Sequence, residues 1–172
     1  MIRICAAMAD PESRLDCYDR LVTTLGISAA GPGGELWTVE FLVDPLTDER
    51  SARAMLPALE GRGVDDAPVQ FIVECREGQT SVLLDWAQPV GDGNTIVIRL
   101  DADEPQDTFW EMARNRTTAR YRSDGAPLAR AIAPHRRMVA RVLPSGREPV
   151  TAIFDLTGMP EAMAPVRDAC GW

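Results

Sequence analysis

Val69–Trp86 reads VQFIVECREGQTSVLLDW, and the fold class turns on how this stretch is read. Two runs rich in β-branched and aliphatic residues, Val69 to Arg76 and Thr80 to Trp86, flank Glu77-Gly78-Gln79. Short β-type runs joined by a brief glycine-containing link predict an antiparallel hairpin. The first run also carries Cys75, so whatever that thiol pairs with is tied to a strand.

Working outward, Trp37 to Val43 is an apolar β-leaning run that Asp44-Pro45 ends. Residues 47–53 are polar and read as a loop, and residues 52–59 fit helix and strand equally. Downstream, Thr95 to Asp101 alternates Ile96, Ile98 and Leu100 against Thr95, Val97 and Arg99, which predicts a strand. Phe109 to Tyr121 reads as a bent strand or a partly helical stretch, Pro127 to Ala133 as a helix, and Arg137 to Leu143 as a strand. Thr151 to Leu156 alternates again, and Gly158 ends that strand. Residues 159–169 then predict a helix that Pro165 should kink or interrupt, because proline lacks the N–H of a helix interior. Cys170 and Trp172 follow, a buried-type thiol and a large aromatic that something upstream must hold.

At the other end, residues 2–9 and 11–26 predict two helices, with Asp10 as the N-cap of the second and Pro11 in its first turn. Leu15, Tyr18, Leu21, Val22 and Leu25 make one apolar stripe, and a Gly/Ala/Ser-rich link spans 28–34. The expected architecture is α+β: a largely antiparallel sheet with an N-terminal helical hairpin over 1–27, an α+β domain over 35–172 and a C-terminal helix. A β-sandwich carrying helical additions is the rival.

Composition narrows the function classes. A net charge of -8 argues against a general nucleic-acid binder. All 18 basic side chains are arginine. No run approaches the roughly 18 apolar residues of a membrane-spanning helix. The four cysteines at 5, 17, 75 and 170 form no CxxC pair and allow three disulfide connectivities. A helical hairpin would bring Cys5 to Cys17 and leave Cys75 for Cys170; inert thiols and metal or redox chemistry are the other readings. Two disulfides imply an oxidising compartment. Since Met1-Ile-Arg-Ile-Cys5 has no apolar h-region, a leader is expected to have been removed.

No motif specifies a catalyst. There is no GxxxxGK[ST], GxGxxG or GxSxG, and no EF-hand spacing. His135 is the single histidine, and a hydrolase would need it beside an activated serine or a carboxylate. Its plain reading is a surface or helix-terminal residue. Arg114, Arg116, Arg120 and Arg122 share one face if they lie on a continuous strand, which makes an anion- or carboxylate-binding patch or a solvated face paired with nearby acids. Arg99 and Asp101 would likewise share a face as a salt bridge or a partner contact. Trp37, Trp86, Trp110 and Trp172 read mainly as core, with an exposed one marking an interface. Asn115-Arg116-Thr117 fits a glycosylation sequon, a weak match.

Cys5 to Leu21, CAAMADPESRLDCYDRL, resembles a Cys-x11-Cys helical opening found at the mature N-terminus of small exported proteobacterial proteins. The rest is similar to the VasI family, encoded with type VI secretion clusters. The shared order is Trp37, then Phe71-Ile-Val-Glu-Cys75, then Arg99-Leu-Asp101, then Phe154-Asp-Leu-Thr-Gly158, and finally Cys170-Gly-Trp172, with 109–122 matching less closely. The resemblance implies an exported, periplasmic, non-catalytic accessory protein without a cofactor, contacting a protein partner in the cell envelope. Arg114, Arg116, Arg120, Arg122 and Trp110 are its candidate contact residues. The alternative is a small exported binding, inhibitor, immunity-type or prophage-encoded protein outside any secretion machine.

Overall fold

The computed structural model describes residues 5, 8, 10–15, 17–18, 36–91, 95–144, 146 and 148–172. The described strands are β1 (Thr38–Val43), β2 (Arg50–Arg62), β3 (Pro68–Arg76), β4 (Gln79–Asp85), β5 (Thr95–Leu100), β6 (Gln106–Met112), β7 (Thr118–Tyr121), β8 (Arg137–Val142) and β9 (Val150–Asp155). Helix α1 is Gly125–Ile132, α2 is Met159–Ala162 and α3 is Ala164–Cys170.

The strands run in the order β1-β2-β3-β4-β7-β6-β5-β8-β9, and β9 returns to β2. That last pairing closes β2 through β9 into an eight-stranded antiparallel barrel, with β1 added beside the first half of β2. The expected α+β fold is therefore corrected, and so is its sandwich rival. The protein is mostly β, with a closed barrel and a few short helices. No N-terminal helical hairpin stands among the described residues. Most of the two helices expected over 2–9 and 11–26, and the 28–34 link, lie outside them. Within that region residues 11–15 are helical, and the Asp10 carboxylate accepts from the Ser13 N–H at 2.8 Å, an N-cap.

Closure depends on β2. Its first half pairs with β1 and β3 in regular register, from Met55 opposite Thr38 and Ile72. The β3 register shifts between Pro57 and Arg62, and across that irregularity Glu60 comes opposite Ile153 of β9. Gly61 has φ 113 there, and a Cβ on it would stand 2.9 Å from the Ala152 Cα and the Thr151 carbonyl. Only glycine admits both the left-handed backbone and that approach. Pro57, which has no N–H to give the ladder, sits where the irregularity begins.

Alternation fills the interior from every wall. Phe71, Val73, Val82, Leu84, Trp86, Ile96, Trp110, Met138, Val142 and Phe154 are buried, and Ala52, Ala54 and Ala58 are their small counterparts on β2. Aromatic rings cross this core, Trp37 to Phe71 at 6.1 Å and Phe71 to Phe154 at 5.9 Å between centroids. The Trp37 indole N–H also donates to the Thr157 carbonyl at 3.0 Å, fastening the entry of β1 to the chain leaving β9.

The hairpin of Val69–Trp86 is β3–β4, with Arg76 opposite Gln79 and Glu77-Gly78 as its two turn residues. Both have positive φ, 52 and 69, as the primed turns of tight hairpins require. The C-terminal helix is split: α2 ends before Met163, and Pro165 lies in the first turn of α3. Proline has no N–H to continue the ladder from α2 but fits a first turn. Met159, Ala162, Met163 and Val166 join the barrel core. Cys75 and Cys170 are disulfide-bonded, as are Cys5 and Cys17.

Candidate functional site

Arg120 lies on β7 between Leu83 of β4 and Glu111 of β6. Its neighbour Ala119 is fully buried, so alternation turns Arg120 outward. Arg122 follows β7, and its backbone N–H reaches the Phe109 carbonyl at 3.2 Å. Both side chains line an open cleft of about 570 Å³ shared by the start of β4, α1 and the segment after α3.

Arg130, in the last turn of α1, and Trp172 line the same cleft. The Arg130 guanidinium stands over the Trp172 ring, 4.7 Å from its centroid, a cation–π geometry. The Trp172 indole N–H donates to the Thr80 hydroxyl at 2.7 Å. Thr80 is a buried polar side chain, so that bond also satisfies a group cut off from water. The Cys75–Cys170 bridge holds this wall, since Cys170 too lines the cleft. Asp124 is the one acid in the lining, and its carboxylate already accepts from the Ala126 N–H at 3.1 Å as the N-cap of α1.

The four arginines do not share a face. The chain reverses between β6 and β7, with the Ala113 N–H on the Thr118 carbonyl at 2.8 Å and the Arg116 N–H on the Ala113 carbonyl at 2.9 Å. Arg114 and Arg116 belong to this turn, at the opposite end of β7 from Arg122. Even-number parity holds only along a continuous strand, and a turn resets it. Asn115 of the sequon is committed to the same turn, its side-chain oxygen accepting from the Thr117 and Thr118 N–H groups, each at 3.2 Å. Trp110 is only 1% exposed, its N–H on the Thr108 hydroxyl at 2.7 Å and its ring edge-on to Tyr121 at 5.6 Å. It is a core residue of the barrel, and Phe109 beside it is the exposed one.

Arg99 and Asp101 do not pair either. Arg99 donates to the Asp103 carbonyl at 2.9 Å. Asp101 accepts instead from the Arg136 and Arg137 N–H groups, at 3.1 and 2.9 Å, and its other oxygen lies 2.9 Å from His135 Nδ1. The His135 contact, with the two backbone donors, holds the Asp101 carboxyl below its ordinary range. This aspartate–histidine contact fastens the end of β5 to the start of β8. Among the described residues no hydroxyl or thiol is hydrogen-bonded to the other ring nitrogen, so it does not extend to a triad. Nor does any group of three or more His, Cys, Asp or Glu among them stand ready to hold a metal ion.

A second, smaller groove of about 230 Å³ crosses β1, β2 and β3. Two arginines line it, Arg53 and Arg76, with the acids Glu40 and Glu74, and Arg53 faces Glu74 across the ladder with Nε to carboxylate at 3.5 Å. No ion pair is formed by the cleft arginines among the described residues, although Glu111 lies opposite Arg120 in the ladder. Sequence reading missed Arg130 and Trp172 as its partners; the one available hint was Cys170 beside Trp172.

A family model described as type VI secretion system VasI, EvfG, VC_A0118 matches residues 4–172. The chain belongs to the VasI family. Its VasI signature segments now have places: Trp37 at the start of β1, Cys75 on β3, Asp101 at the end of β5, and Cys170 and Trp172 on the cleft. A comparison with curated proteins gave no match. Among solved structures the chain is similar to invasion associated protein B from Bartonella henselae, at 12% identity and a TM-score of 0.57, covering 83% of this chain and 95% of that one. At that identity the likeness is one of fold. Membership in VasI makes this a type VI secretion-associated protein.

Proposed function

We propose that the protein acts in the cell envelope as an exported, non-catalytic accessory of type VI secretion, working by contact with another protein. The observation that carries this reading is the VasI match over residues 4–172. Two disulfides support an oxidising compartment, where such bridges persist. No helix among the described residues is long and apolar enough to cross a membrane, which fits a protein held in the envelope by its partners. We assign the contact to Arg120 and Arg122, with Arg114 and Arg116 as an outer contact at the far end of β7.

The test is deletion of the gene in its host, followed by complementation with a periplasm-directed and a leaderless form. Deletion should reduce type VI effector export and killing of prey cells, and only the periplasm-directed form should restore both. Unchanged export after deletion, or full rescue by the leaderless form, refutes the proposal.

A further inference from the structure

The cleft runs against the charge of the molecule. The chain has 26 acidic and 18 basic residues, yet this lining holds Arg120, Arg122 and Arg130 against one acid already used as a helix cap. The arginine–carboxylate pairs found among the described residues are Arg53–Glu74 and Arg62–Asp66, and neither involves the three. Three guanidinium groups line one cleft with the single carboxylate of Asp124, and Glu111 lies opposite Arg120 outside that lining. This leaves a net positive charge there that favours an incoming anion. Arg130 gives its flat face to Trp172, which leaves the N–H donors at its rim free to meet an oxyanion.

From this arrangement we propose that the cleft binds an acidic, extended peptide segment of a protein. Arg120 and Arg122 lie two residues apart, which on extended backbone is about 7 Å. An extended peptide carries every second side chain on one face at that same spacing, so acids at alternate positions meet the two forks in register. Arg130, from the helix, offers a third. A single small anion engages one or two forks and leaves the remainder unmatched. The inference deepens the proposed function, resting on its premise of protein contact, and it names the chemistry of the partner.

Fluorescence anisotropy of a labelled eight-residue peptide alternating Glu and Ser, titrated with the full disulfide-bonded chain, tests it. Saturable binding that weakens with added salt is expected. Arg120→Ala/Arg122→Ala and Arg130→Ala should each lower affinity about tenfold or more, the loss of a charge-assisted contact. Arg141→Ala, on β8 and outside the cleft lining, should leave it within about twofold, the level of an uninvolved surface site. Because Arg130 also packs on Trp172, the charge-reversed Arg120→Glu/Arg122→Glu chain is the second arm, and it should prefer a peptide alternating Lys and Ser. Citrate and inorganic phosphate should compete only at far higher concentration than the peptide. Absence of saturable binding, binding indifferent to all three arginines, or equal competition by phosphate would overturn the proposal. Peptide binding without any secretion defect would refute the assigned role in secretion and leave the cleft's chemistry standing. A secretion defect rescued fully by Arg120→Ala/Arg122→Ala, with no peptide binding, would do the reverse.

Discussion

Removing the Cys75–Cys170 bridge with Cys75→Ala/Cys170→Ala should cost about 1–2 kcal/mol more stability than removing Cys5–Cys17 in the same way. The bridges span sequence separations of 95 and 12 residues. Loop-closure entropy grows with the logarithm of that separation, so the denatured chain regains about 4–5 kcal/mol of freedom in the first case and about 3 kcal/mol in the second. For a chain of this size each kcal/mol moves the melting midpoint by roughly 2–4 °C, so the long-range pair should melt roughly 10–20 °C lower than wild type. Cys75 is 1% exposed within the barrel core, and alanine leaves a small cavity that adds to the loss. Serine is avoided because it would bury a hydroxyl. Urea unfolding at neutral pH, followed by tryptophan fluorescence and extrapolated to zero denaturant, measures both variants against wild type. A Cys75→Ala/Cys170→Ala chain no less stable than the Cys5→Ala/Cys17→Ala chain would refute the idea that this clamp restrains the unfolded state.

Gly61→Ala should lose about 2 kcal/mol or more in the same assay, since φ 113 and contacts of 2.9 Å with β9 backbone leave no room for a methyl group; a loss under about 0.5 kcal/mol would contradict the closure argument. Phe154→Ala should cost about 3–5 kcal/mol, because a fully buried ring packed on Phe71 leaves a cavity that the barrel wall cannot collapse to fill. For Asp101 the sign follows from linkage. Its folded-state pKa is held low, first by the His135 contact, so its contribution is present above its unfolded value of about 3.9 and lost as pH falls through the folded one. The stability gap between wild type and Asp101→Asn should therefore narrow as pH is lowered from 5 toward 2, and a gap that widens on acidification would show the assignment to be wrong.

Several elements were legible in order. The β3–β4 hairpin was, because alternation and a glycine at the turn are local properties, and so were β5, β8 and β9. The first half of β2 was ambiguous for a physical reason: Ala52-Arg-Ala-Met-Leu-Pro-Ala-Leu59 is made largely of helix formers. It is a strand because β1 and β3 flank it, and its inward alanines leave space for the large side chains of the opposite walls. Stretch 109–121 divided into β6 and β7 around a turn that no glycine or proline announced. That unmarked turn separated Arg114 and Arg116 from Arg120 and Arg122.

Family, the cysteine set and the split at Pro165 followed from sequence alone, since each depends on residue identity or on neighbours along the chain. Barrel closure did not, because it rests on one non-local pairing, Glu60 with Ile153, permitted by the backbone of Gly61. The cleft did not either. Arg120, Arg122, Arg130 and Trp172 come from a strand, its exit, a helix and the segment after Cys170, and periodicity cannot bring together residues from separate elements. The barrel wall, the packing of α1 on β4 and the bond between Cys75 and Cys170 do that.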